Sequence, residues 1–191
     1  MSFAYGTTVN INPTAQKAIE TILVGDTVFA ADYTNASQWS QQTVHSSQGT
    51  GPGGIQPLVV YIVYKLQNGT GQIIVTRDQP FLLSTKKLKR AEQLTPGDSL
   101  VSATGASLGV LQVAMHEFRG GVHDIAITLG GTGHWIVASG VVCGDFTMQI
   151  NQPADNSPVI GTPEYQIPRQ RLATEAPLPQ TPKRAPRPRK K

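Results

Sequence analysis

Cys143 and the histidines His45, His116, His123 and His134 are the side chains of this 191-residue chain with the most versatile chemistry. A lone cysteine cannot build an internal disulfide framework or a Cys-based zinc site. The histidines show no paired spacing of the kind metal ligation uses, so neither a metal nor a cofactor is expected. Gly49-Thr50-Gly51-Pro52-Gly53-Gly54 lacks the Lys-Ser/Thr of a phosphate loop and reads as a flexible loop. Trp39, Trp135 and the five tyrosines do not interleave with basic residues, which argues against a stacking platform for bases. The strongest electrostatic feature lies within residues 181–191, where Pro182–Lys191 carries six positive charges. Such a run can hold a phosphate backbone through counterion release, and its Arg-Pro spacing also suits an aromatic-lined polyproline groove.

That run belongs to a segment of distinct composition. Residues 1–150 hold eight Lys/Arg and nine Asp/Glu, a net of −1; residues 151–191 hold eight and three, a net of +5. Nine of the 14 prolines also fall in residues 151–191. Repeated proline removes backbone donors and fixes φ, and little apolar content is present to offset the entropy of ordering. We therefore expect a folded domain over residues 1–150 and a disordered, Pro-rich basic tail over 151–191. The opening residues have neither the basic nor the apolar part of a secretion signal, and the apolar stretches are too short to cross a bilayer. A monomer without membrane association is expected, intracellular and cytoplasmic, or nuclear in a eukaryote.

The elements of residues 1–150 read as an all-β domain. Strands are expected at Val9–Ile11, Thr27–Ala30, Leu58–Leu66, Gln72–Thr76, Phe81–Ser84, Ser99–Ser102, Gly109–Phe118, Val122–Leu129, His134–Ala138 and Val141–Cys143, all rich in β-branched or aromatic residues. Asn68-Gly69, Pro96-Gly97, Gly120-Gly121, Gly130-Gly131 and Ser139-Gly140 supply turns between them. Thr14–Ile22 and Leu88–Gln93 have room for a helical turn, and the Gln/Ser/Gly-rich stretch Thr34–Gln56 reads as a long loop or insertion. The stretch around Lys17–Val28 resembles that around Leu88–Leu100. Each places an acidic residue in a short turn, then an apolar residue, then Gly-Asp, then a strand. The Gly-Asp pairs at Asp26 and Asp98 suggest two related halves about a pseudo-twofold axis.

The order of these segments resembles the Hint superfamily, the fold shared by Hedgehog autoprocessing domains and inteins. Ser2-Phe3-Ala4-Tyr5-Gly6-Thr7 with Ile19–Val28 looks like the N-terminal splicing block. Val75-Thr76-Arg77-Asp78-Gln79-Pro80-Phe81 resembles the block written T-x-x-H, and Ala91–Asp98 the Gly-Asp stretch after it. Val122–Ile127 and His134–Cys143 resemble the C-terminal blocks. The resemblance spans residues 2–145 and implies a compact Hint-type fold acting on its own polypeptide.

Position by position, the resemblance implies altered chemistry. Ser2 takes the place of the nucleophile that attacks the carbonyl before it; a hydroxyl permits an N-to-O acyl shift but is poorly nucleophilic without activation. Thr76 is placed to polarise that carbonyl. Gln79 replaces the histidine that gives a proton to the departing nitrogen, and a carboxamide does not titrate near neutrality. Asp124 and His134 match positions that organise the active centre. Asp145 stands at the terminal asparagine position, preceded by Gly144 where a histidine is usual and followed by Phe146, which cannot accept an acyl group. Splicing is not expected, and slow self-cleavage near Asp145 is the most that survives. A non-catalytic β scaffold presenting the basic tail to a nucleic acid or a protein is the alternative.

Overall fold

The computed structural model describes residues 2–151. Apart from Asn151, the expected tail of residues 151–191 lies outside the described residues. The elements are β1 (Phe3–Ala4), β2 (Thr8–Asn10), β3 (Gln16–Ala18), β4 (Thr27–Asp32), β5 (Trp39–Thr43), β6 (Ser46–Gly49), β7 (Ile55–Leu66), β8 (Gly69–Val75), β9 (Pro80–Leu82), β10 (Leu88–Arg90), β11 (Ser99–Val101), β12 (Ser107–Arg119), β13 (Val122–Ala126), β14 (His134–Ala138), β15 (Val141–Gly144) and α1 (Phe146–Ile150). One-turn 3-10 helices at Ile19–Thr21 and Ala91–Gln93 follow β3 and β10. They are all that forms of the helical turns expected in those regions.

One sheet runs β11-β12-β7-β8-β1-β13-β6; the other runs β10-β9-β15-β14-β2-β3, with β4 on β14 and β5 on β4. Alternating burial positions the long strands: in β7, Ile62 and Tyr64 are buried while Tyr61, Val63 and Lys65 between and beside them are at least partly exposed. β13 and β15, each paired on both sides, are buried throughout. Ser139 and Gly140 both hold positive φ, 49° and 81°, which turns β14 back onto β15 in the tight hairpin that their residue types favour.

The stretch expected to be a loop, Thr34–Gln56, contains β5, β6 and the start of β7. Its Gln and Ser residues carry little β-propensity, but β5 is an edge strand paired only with β4, where polar side chains face water without cost. A second element not anticipated is α1, directly after the final strand. Asp145 caps it, accepting from the Met148 N–H at 3.0 Å.

The inferred repeat recurs atom by atom. Lys17 Nζ meets Asp26 at 2.8 Å, as Lys89 Nζ meets Asp98 at 2.8 Å. The Leu23 N–H donates to Asp26 as the Thr95 N–H does to Asp98. Ile19 N–H donates to the Thr7 carbonyl, and Ala91 N–H to that of Gln79, both at 2.9 Å. The axis passes between β1 and β8, which pair at Phe3 and Val75. On its two sides β13 and β7 occupy matching places. One half is therefore the continuous run β7–β12, while the other combines β1–β6 with β13 from late in the chain.

Candidate functional site

The axis brings the chain's first described residue into the interior. Ser2 is 2% exposed and holds φ at +127°, a conformation unfavourable for any residue with a Cβ. Its N–H donates to Thr76 Oγ1 at 2.5 Å, and its carbonyl accepts from the Thr76 N–H at 2.8 Å. Thr76 Oγ1 donates in turn to Asp78 Oδ1 at 2.8 Å. From β13, Asp124 reaches the neighbourhood of the Ser2 side chain, and the two line the same cavity. Burial pushes the Asp124 carboxyl up to about 6; the Ser2 side chain pulls it down, and the Asp78 and Asp145 carboxylates add to the rise. A cavity of about 350 Å³ opens beside this pair, lined also by Gln48, Thr50 and Gln56.

Gln79 is 1% exposed and looks the other way. Its Nε2 donates to the Gly144 carbonyl oxygen at 2.7 Å, tying the T-x-x-Q turn to the end of β15. Asp145 follows at once. Its Oδ1 accepts from the His134 and Met148 N–H groups, both at 3.0 Å, and its Oδ2 from the Ile127 N–H at 2.9 Å. Burial raises its pKa, and these three donors act against the rise. The helix it caps seals this end of the site. Met148 is fully buried, and a Cβ on Gly144 would sit 2.5 Å from its sulfur. Gln149, 6% exposed, extends Nε2 to within 3.4 Å of Thr76 Oγ1, with its Oε1 buried and unpartnered.

Of the five residues singled out from sequence, Ser2, Thr76 and Asp124 converge. Asp145 lies close enough to influence Asp124 electrostatically. His134 opens β14 and interacts electrostatically with Asp32 and Asp145, so Asp124 and His134 serve different neighbours. Cys143 is fully buried in β15, and burial raises its thiol far above the usual range. His123 is 9% exposed in β13, where Nε2 meets Ser47 Oγ at 2.8 Å. A strand with a buried residue at every position leaves no outward side for it. Asp78 and Gln149 were not anticipated. A carboxylate two residues after a threonine is a common turn pattern and was a readable signal for Asp78. Gln149 gave none, because only the fold returns α1 to Thr76.

Among the described residues no group of three His, Cys, Asp or Glu side chains could hold a metal ion, and no helix is long and apolar enough to cross a membrane. No protein-family model and no curated protein matches the sequence. Solved structures do. The chain is similar to the bacterial intein-like domain from Clostridium thermocellum, at 22% identity and a TM-score of 0.60 over 75% of this chain and 97% of that one. It is also similar to a DnaB intein from Synechocystis sp. PCC 6803 (16% identity, TM-score 0.55, 76% and 99% covered) and to the gp41-1 intein (18%, 0.53, 75% and 98%). The domain thus has the intein-like, all-β Hint fold.

Proposed function

We propose that this intein-like Hint domain is an autoprocessing module with degraded catalytic motifs, acting on its own polypeptide. It presents Ser2 for an N-to-O acyl shift, does not splice, and cleaves itself at most slowly near Asp145. The supporting observation is the placement of Ser2, whose N–H rests on Thr76 and which shares a cavity with the Asp124 carboxyl. In this reading Asp124 takes the hydroxyl proton as Ser2 attacks the preceding carbonyl. With a pKa of about 6 it is largely a carboxylate at neutral pH and close enough to neutrality to act as a base. The catalyst missing from position 79 costs on the order of a hundredfold. At the other junction, Asp145 is engaged by three N–H groups, so its carboxylate is not free to attack its own carbonyl.

A reporter protein joined ahead of Ser2 tests the reading. Hydroxylamine should release it slowly from the wild type and not from Ser2→Ala, and Ser2→Cys with Gln79→His should accelerate release at least tenfold. Rapid appearance of a ligated, spliced product would reject it, as would release from Ser2→Ala at the wild-type rate. The charge split of the sequence favours a second reading, a β scaffold that uses residues 181–191 to bind a nucleic acid or a polyproline-binding partner. Deleting residues 152–191 should then abolish binding to RNA or DNA at low salt; unchanged binding would refute it.

A further inference from the structure

We propose that Gln149 is a positioning residue for the Ser2 site, reaching back from beyond Asp145 to fix the Thr76 hydroxyl that holds the scissile amide. The inference rests on the acyl-shift reading of Ser2. A threonine hydroxyl has one proton and two lone pairs. At Thr76 all three are engaged. The proton goes to Asp78 Oδ1 at 2.8 Å, one lone pair takes the Ser2 N–H at 2.5 Å, and the other faces Gln149 Nε2 at 3.4 Å. With Gln149 in place the hydroxyl has one orientation, and the lone pair aimed at Ser2 cannot turn away. Thr76 also grips the Ser2 carbonyl oxygen through its own N–H, at 2.8 Å. The two bonds hold Ser2 at a φ of +127°, the torsion that sets where the preceding carbonyl lies relative to the Ser2 hydroxyl.

Two further observations single out Gln149. Its side chain is buried, yet Oε1 has no hydrogen-bond partner. A glutamine that served packing alone would only destabilise the fold there, since an apolar side chain of similar volume leaves no amide oxygen unsatisfied. Its backbone is also fixed by the C-terminal junction itself. The Gln149 N–H donates to the Asp145 carbonyl at 3.0 Å, and the Asp145 carboxylate caps the helix that carries it. Thr147 Oγ1 anchors the same helix by donating to the Thr128 carbonyl. Residues that follow the C-terminal junction thus complete the N-terminal site. Cleavage after Asp145 detaches the segment carrying Gln149, so release at the Ser2 end has to come first.

The experiment uses the full chain with a reporter protein ahead of Ser2. Gln149→Met keeps the volume and removes both polar atoms. It should melt no lower than the wild type, yet release the reporter to hydroxylamine about tenfold more slowly, with the hydroxylamine concentration for half-maximal rate unchanged. A merely structural glutamine would move stability and rate together. Gln149→Leu, read in the same way, serves if the thioether is not accommodated. In a Thr76→Val background Gln149→Met should have no further effect on the rate, because the group it acts through is gone. By NMR, the Ser2 amide should exchange its proton faster in Gln149→Met than in the wild type. Release from Gln149→Met at the wild-type rate overturns the positioning role and leaves the acyl-shift reading standing. An undiminished effect in the Thr76→Val background also overturns it. If the wild type releases nothing, the acyl-shift reading fails and the Ser2 amide decides: faster exchange in Gln149→Met supports the hold on Thr76, and unchanged exchange overturns it.

Discussion

Asp145 and Asp124 are both buried carboxylates, yet their surroundings give them opposite work. Asp145 is saturated by three backbone donors. In Asp145→Asn one oxygen can still serve His134 and Met148, but the new NH2 faces the Ile127 N–H. We expect a loss of roughly 1–3 kcal/mol, read by urea denaturation, with faster hydrogen exchange at Ile127. An asparagine at this position should therefore weaken the fold. Asp124 has no such set of backbone donors, and burial pushes its carboxyl up to about 6. The protonated form is the one that the folded state favours, so this stabilisation is complete below about pH 4 and is lost as pH rises through 6. Asp124→Asn should gain roughly 1–3 kcal/mol over wild type on moving from pH 4 to pH 8, measured as the difference between their thermal melting curves.

At the scale of elements, the repeated turn is built around a Lys–Asp pair in each half, with different burial. The Lys89 and Asp98 side chains are 17% and 15% exposed, against 39% and 36% for Lys17 and Asp26. Asp98 also accepts from the Thr95 N–H and hydroxyl. Removing it strands more donors away from water, so Asp98→Ala should cost about 1–2 kcal/mol in urea denaturation, and Asp26→Ala clearly less. An equal cost would mean that burial does not set the value of this pair. Sequence showed this motif because a Gly-Asp corner after an apolar residue is a local solution to a local problem. It did not show β5 or β6, whose Ser and Gln residues become strands only because β4 and β13 offer them free edges.

For the molecule as a whole, the interleaving of the halves sets where the chain can be cut. β13 completes the half that begins with β1, and α1 packs Met148 beside Leu82, Trp135 and Val142. Ending the chain at residue 145 discards α1 with its buried Met148 and leaves Asp145 no helix to cap, and should cost about 2–5 kcal/mol. Ending it at residue 151 retains every described contact and should leave the melting temperature unchanged. Equal melting of both truncations would show that α1 adds nothing to the core.

The sequence by itself determined what local chemistry dictates: an all-β domain, its turns, the duplicated Gly-Asp corner, the charge split, and the blocks holding Ser2, Thr76, Asp124, His134 and Asp145. Only the tertiary structure decided which of these meet. Asp124 reaches Ser2 because β13 pairs with β1, residues separated by most of the domain. Asp145 became a helix cap, and Gln149 a neighbour of Thr76, because α1 folds back over the site. Residue types and spacing encode turns and strand faces over a few positions. Contacts across the pseudo-twofold axis depend on strand pairings that no local pattern specifies.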